Sequence, residues 1–213
     1  MKQRFLFLLQ ELKKVFEKHP ENFSLVEKLE AQVRQLPEEK PAATTFVLPT
    51  EVQKGEFALF ADGACRGNPG PGSWGVLAQN DTGEVIFESC SFEHLTTNNK
   101  MELEGAIQAL ENLKFHLQEN GGDTFAVNVH LYSDSKYVVD GLNQWVEGWK
   151  ARGWKKADKA IPENLLWWQR LDEVRSQYAQ VACDWVKGHQ GHPQNEYCDA
   201  LANRALDEIG IRS

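Results

Sequence analysis

The chain has 213 residues, 41% hydrophobic and 25% charged, with 16 Gly, 8 Pro and a net charge of −8. That ordinary globular composition excludes disordered, collagenous and disulfide-scaffold proteins. The longest apolar run near the start, Phe5 to Leu9, is far short of the ~20 residues a membrane span needs, and no small-residue cleavage pattern follows it.

Residues 2–19 place Phe5, Leu8, Leu9, Leu12 and Phe16 at steps of three and four, the apolar stripe of an amphipathic helix. His19 to Asn22 ends it. Ser24 followed by Glu27 reads as a capping box, and Val26, Leu29, Val33 and Leu36 carry a second stripe. A helical hairpin over 1–36 follows. It is too small to hold a core alone, so it is expected to dock on the rest of the chain or to self-associate. Residues 37–55, with Pro37, Pro41 and Pro49, read as a linker to a domain over 56–213.

From Glu56 the texture changes. Phe57 to Ala61 is a buried strand running into Asp62-Gly63, and strands follow near 73–79 and 84–92 with Thr82-Gly83 as their hairpin. Helical spacing covers 99–119. A second buried strand, Val127 to Tyr132, ends in Ser133-Asp134 and feeds a helix through Val138, Leu142 and Trp145. A helix over 163–178, a strand over 180–186, a His/Gly loop and a helix over 195–208 complete the order. This is an α/β arrangement: a mixed sheet with helices on its faces. The four cysteines, Cys65, Cys90, Cys183 and Cys198, form no C-x-x-C pair. Structural zinc loses its usual signature, and reduced thiols in a cytoplasmic protein are the expectation.

Two strands each end in an aspartate, Asp62 and Asp134. In such sheets ligands sit outside the carboxyl ends of the strands. Carboxylates brought side by side repel each other, and a shared cation relieves that. Glu102 opens a helix and Asp199 lies on the last one, so both can reach the same place. Hard oxygen ligands without Cys/His spacing favour Mg²⁺ or Mn²⁺ over zinc. Taken singly, each reads more readily as a turn, cap or surface residue.

The surrounding segments separate those readings. Phe60 through Gly72 (FADGACRGNPGPG), Thr96 through Leu103 (TTNNKMEL), Tyr132 through Ser135 (YSDS), and Trp185 through His189 (WVKGH) with His192 through Asp199 (HPQNEYCD) occur together. In that order and spacing, from about Phe57 to Leu206, the chain resembles the type-1 bacterial ribonucleases H. The resemblance implies a ribonuclease H-like fold with a five-stranded mixed sheet, preceded here by the small helical hairpin. It implies an endonuclease that hydrolyses the RNA strand of RNA–DNA hybrids, leaving 5′-phosphate and 3′-hydroxyl ends. The site implied is Asp62, Glu102, Asp134 and Asp199 holding two Mg²⁺, for which Mn²⁺ can substitute, so that the cations clamp an in-line displacement at phosphorus.

The resemblance also makes His189, in a loop between glycines, a group for proton shuttling or product release, while His192 shapes the turn before Pro193. Ribose is read by its 2′-hydroxyl, and the matching residues are Asn68, Asn98 and Glu102, with Asn99 and the backbone of the Cys65–Gly67 turn. Lys136 stands where many relatives carry Gln, trading a minor-groove hydrogen bond for a phosphate contact. The acidic body carries one basic island, Lys150, Arg152, Lys155, Lys156 and Lys159, opposed only by Asp158. With Trp149 and Trp154 it matches the family's basic protrusion, suited to backbone tracking without base readout. Thr97 and Asn164 match the phosphate pocket for the DNA strand, with Arg66 an unassigned neighbour. Trp74, Trp145, Trp167, Trp168 and Trp185 are expected in the core. The partner implied is a hybrid duplex, with no membrane, and self-association through the hairpin is left open.

Overall fold

A computed structural model describes residues 2–35, 46–188 and 191–211. Two helices come first, α1 (Lys2–Phe16) and α2 (Pro20–Gln35). The sheet strands are β1 (Phe57–Cys65), β2 (Gly70–Gln79), β3 (Val85–Thr96), β4 (Asn128–Ser133) and β5 (Gln180–Trp185). Between and after them run α3 (Asn98–Glu119), α4 (Lys136–Asp140), α5 (Val146–Ala151), α6 (Leu165–Arg175) and α7 (Pro193–Glu208). A π-helical turn, Gly141–Trp145, joins α4 to α5.

The strand order is β3-β2-β1-β4-β5. The first three form an antiparallel meander, and β1, β4 and β5 run parallel. Two-residue alternation sorts the side chains of β1 onto two faces. Leu59 and Ala61 join the larger core, under Leu103, Ile107, Leu110 and Leu113 of α3 and Leu171 of α6. Ala58 and Phe60 join a smaller core with Leu77, Tyr132 and Cys198. Each fully buried Leu or Ile here contributes about 1.5–3 kcal/mol.

Three expectations are corrected. The second helix begins at Pro20, not at the Ser24 box. Proline at the first helical position gives up no hydrogen bond and has its φ preset, so the helix starts four residues earlier and Ser24 lies inside it. The buried face of α1 is Leu6 and Leu9, whereas Phe5, Leu8 and Leu12 are exposed, as are Val15, Leu25 and Leu29. The hairpin is anchored at the far end of α3 by Arg34, which donates to Glu119 at 2.8 Å and pairs with Glu30 at 2.7 Å. The stretch read as linker is packed over its described part: Phe46 and Val52 are buried in the smaller core, and Gln79 Nε2 donates to the Phe46 carbonyl at 3.2 Å. Residues 36–45 lie outside the described residues.

Candidate active site

Parallel pairing places Phe60 opposite Tyr132. Carried two residues further, that register sets Asp62 beside Asp134, just past the end of β4, while β1 itself runs on to Cys65 and not, as expected, to Ala61. The third carboxylate arrives by a close approach. A Cβ at Gly63 would stand 2.5 Å from the backbone nitrogen of Glu102, so only glycine lets the first turn of α3 lie against β1. That turn is closed by Thr97, whose hydroxyl accepts from Lys100 N at 3.4 Å. Asp62, Glu102 and Asp134 thus each present an oxygen within 4.8 Å of the others.

The cluster is electrostatically unfavourable in isolation. Asp62 and Glu102 are each 6% exposed. Burial, then the charges of Asp134 and Asp199, push the Asp62 carboxyl up to about 8. Burial and the charges of Asp62 and Asp134 also raise Glu102 well above the usual carboxylate range. Compensation is small. Asp62 Oδ1 accepts from Gly63 N at 2.8 Å, and Glu102 Oε1 accepts from Asn98 Nδ2 at 3.2 Å. Glu102 Oε2 is buried with no hydrogen-bond partner. A donor set of hard, crowded, under-satisfied carboxylate oxygens fits a divalent cation bound through oxygen.

Asp199, expected in the same shell, stands apart from that trio. It comes from α7 and is held by Asn203, whose Nδ2 donates to Asp199 Oδ1 at 2.8 Å. It remains near enough to raise Asp62. Asp134 is bounded from another side, because a Cβ at Gly188 would sit 2.2 Å from its Oδ2. His189 lies outside the described residues. His192 precedes Pro193 at the start of α7 and stacks obliquely on Phe60 and Tyr132, with ring centroids 5.5 and 6.0 Å away.

The residues expected to touch substrate divide into two groups. Asn68, Asn98, Asn99 and the Cys65–Gly67 turn lie on one rim of the carboxylates. Asn98 N donates to Asn68 Oδ1 at 3.4 Å, and the Cys65 thiol donates to the Gly67 carbonyl at 2.6 Å. Across the site, the Lys136 ammonium lies 5.3 Å from the centre of the Trp185 ring. Asn164, in the left-handed conformation with φ of 54°, donates to Tyr137 Oη at 3.3 Å.

In the basic protrusion the picture changes. Trp149 is 7% exposed and packs edge-on against Trp168 at 5.6 Å, so most of its ring is in the core. Helical periodicity explains this, since its neighbour Val146 faces the same core. Lys150 is paired with Asp172 at 3.0 Å and Glu147 at 3.6 Å. Lys155 and Lys159 are exposed, and Trp154 is half-buried. Trp185 is corrected in the opposite sense: it is 46% exposed, and its indole donates to the Asp134 carbonyl at 2.9 Å. Sequence reasoning missed Gly188 and Asn203. Only the i, i+4 spacing of Asp199 and Asn203 could have signalled the latter.

A mixed sheet that brings crowded carboxylates together from two parallel strands and a helix, beside a basic protrusion, fits the class of metal-dependent phosphodiesterases. The RNase H family model matches residues 54–207. The chain is 48% identical over 149 residues to a ribonuclease H of Rhizobium etli, covering 70% of this chain and 90% of that protein. It is 47% identical over 157 residues to a ribonuclease HI of Caulobacter vibrioides, covering 74% and 97%. Among solved structures, LC9-RNase H1, a type 1 RNase H with the type 2 active-site motif, is 35% identical with a TM-score of 0.60, covering 75% of each chain. LC11-RNase H1, solved with an RNA/DNA hybrid, shares the fold at 23% identity and a TM-score of 0.57, covering 72% of this chain and 99% of that one. The chain belongs to the ribonuclease H family, endonucleases that hydrolyse the RNA strand of RNA–DNA hybrids.

Proposed function

We propose that Asp62, Glu102, Asp134 and Asp199 hold two Mg²⁺ ions and that the scissile ribonucleotide phosphate of a hybrid duplex lies over them. The observation that carries this reading is the trio of carboxylate oxygens within 4.8 Å, one of them buried without a partner. When bound, the cations supply the charge that lets an anionic phosphate approach and that stabilises both the attacking and leaving oxygens. The chain's own residues do the rest. Asp62 would be the ligand common to both cations, because it neighbours Glu102, Asp134 and Asp199. Asn98 orients Glu102 by its hydrogen bond and, with Asn68, faces the ribose, where the 2′-hydroxyl separates RNA from DNA.

On the DNA side, Thr97 and Asn164 bracket a phosphate. Thr97 offers its hydroxyl while capping α3, and Asn164 is aimed by Tyr137, which also accepts from Trp168 Nε1 at 3.0 Å. Lys136 lies between these regions as a phosphate contact, and Lys155 with Trp154 tracks the backbone further out. His189 serves proton transfer or product release. Residues 56–213 form the catalytic domain, and the hairpin is an accessory to it. All four cysteines are free, and no helix among the described residues is long and apolar enough to cross a membrane. The free thiols fit a reducing compartment, the cytoplasm.

The test is hydrolysis of four labelled substrates, with and without Mg²⁺: an RNA–DNA hybrid, double-stranded RNA, double-stranded DNA and single-stranded RNA. Cleavage confined to the RNA strand of the hybrid, lost on chelation and giving 5′-phosphate ends, is expected. Mg²⁺-independent turnover, or equal cleavage of single-stranded RNA, overturns the reading.

A further inference from the structure

We infer that Asn203, gripped by Arg66, is a positioning residue that sets the orientation of Asp199 and so the strength with which the site holds its second cation. The inference rests on the proposed role of Asp199 as a ligand. Its basis is a chain of contacts running from the ribose-facing turn to α7. Arg66 lies between Cys65 and Gly67, yet its guanidinium points away from substrate and into the last helix. It pairs with Asp207 at 2.8 Å, donates to the Ile211 carbonyl, and stands 3.5 Å from both the backbone and side-chain oxygens of Asn203. This answers the open question of Arg66: it is a tie between loop and helix, and its charge is already engaged.

The other end of the Asn203 amide meets Asp199. Its Nδ2 donates to Asp199 Oδ1 at 2.8 Å and to the Asp199 carbonyl at 3.0 Å. The amide therefore has one allowed orientation. Flipped, it would set an oxygen against a carboxylate and an NH₂ against a guanidinium. A hydrogen bond to an ionised acceptor is among the stronger ones, and here it occupies one Asp199 oxygen and leaves the other for the cation. The carboxylate is drawn aside from the crowded trio, which limits its repulsion of Asp62 while keeping it within reach. Because Arg66 lies against the amide oxygen while the amide nitrogen holds Asp199, the turn that meets ribose and the fourth carboxylate are linked through Asn203.

The experiment uses the full chain and reads kcat and KM on the hybrid, Mn²⁺ binding by calorimetry without substrate, and the melting temperature. Asn203→Leu, which removes the donor at similar size, is expected to lower kcat about tenfold with hybrid KM unchanged and with weaker Mn²⁺ binding. Asn203→Asp places a carboxylate that pairs with Arg66 but repels Asp199. It is expected to keep the melting temperature while losing at least as much kcat, a split that a merely structural role would not produce. In an Asp199→Asn background the effect of Asn203→Leu on kcat should vanish, since the residue acts through Asp199. Unchanged kcat and Mn²⁺ binding in either variant, or full additivity with Asp199→Asn, overturns the inference. Asp199→Asn measured alone keeps the two failures apart: normal turnover there removes Asp199 from the site and with it the premise.

Discussion

Two carboxylates along β1 behave oppositely: Glu56 just before the strand, and Asp62 within it, beyond the last residues paired with β4. Glu56 accepts from Gln53 N at 2.9 Å, Asn128 Nδ2 at 3.1 Å and His130 Nε2 at 3.0 Å. Those bonds hold its carboxyl down at about 2. Asp62, six residues on, has one backbone donor and three carboxylate neighbours, and is pushed up to about 8. The same side-chain chemistry is satisfied at the entrance to β1 and frustrated further along it. Satisfied charge holds structure together, whereas frustration that folding leaves unrelieved marks a place where something else must bind.

The contrast breaks most sharply under Asp62→Asn. Hydrolysis should fall by at least about a thousandfold, the loss of several kcal/mol of cation-dependent stabilisation, while hybrid binding in a filter assay survives. The same substitution should raise stability without metal, because it removes a buried like charge. The pH dependence has a defined sign. An unfolded Asp62 ionises near 3.8 and the folded one near 8, so across that interval the native state binds the extra proton and loses stability as pH rises. In chelator, thermal melts from pH 5 to pH 8.5 should show that decline. Added Mg²⁺ should flatten it, and Asp62→Asn should weaken it, leaving the part that the buried Glu102 contributes. A chelated wild-type protein that is stabilised across the interval would contradict the frustration.

Removing a residue of the protrusion whose ring is mostly in the core should act on the other quantity. Trp149→Ala leaves a hole against Trp145 and Trp168 and should cost about 3–5 kcal/mol of stability, with hybrid KM within twofold of wild type. Lys155→Ala, on the exposed protrusion, should do the reverse. It should weaken hybrid binding a few-fold and flatten the salt dependence of KM, leaving the denaturation midpoint in place.

The departures from expectation follow a physical pattern. The buried strands, their aspartates and α3 were legible because burial imposes periods of two and 3.6 on the residues themselves, as in Phe57 to Ala61 and Met101 to Leu113. The blocks around Asp62, Thr97, Asp134 and His192 carried the site. What stayed hidden depends on tertiary direction. Trp149 and Lys150 adjoin one another on one helix turn, and composition does not say which faces Trp168 and which reaches Asp172. Trp185 looks like core, yet its position at the end of edge strand β5 exposes it. Arg66 sits in a substrate loop but points into α7. In the hairpin two apolar rows exist on α1, and only docking against α2 and α3 decides that Leu6 and Leu9 are the buried ones.

The smallest effect tests the satisfied carboxylate at the entrance to β1. Glu56→Gln keeps the shape and one acceptor but loses the charge that strengthens bonds from Gln53, Asn128 and His130, so stability at pH 7 should fall by about 1–2 kcal/mol. The sign with pH is opposite to that of Asp62. The folded carboxyl titrates near 2 and the unfolded one near 4.5, so its contribution is full above 4.5 and is lost as pH falls toward 2. Wild type and Glu56→Gln should therefore differ in urea midpoint at pH 7 and draw together as pH falls below 4.5, meeting only below about 2, while Asp62→Asn and wild type, both in chelator, converge near pH 4 and diverge upward. If the Glu56→Gln difference instead widened in acid, the three hydrogen bonds would not be favouring the ionised form, and the two carboxylates would no longer be opposites.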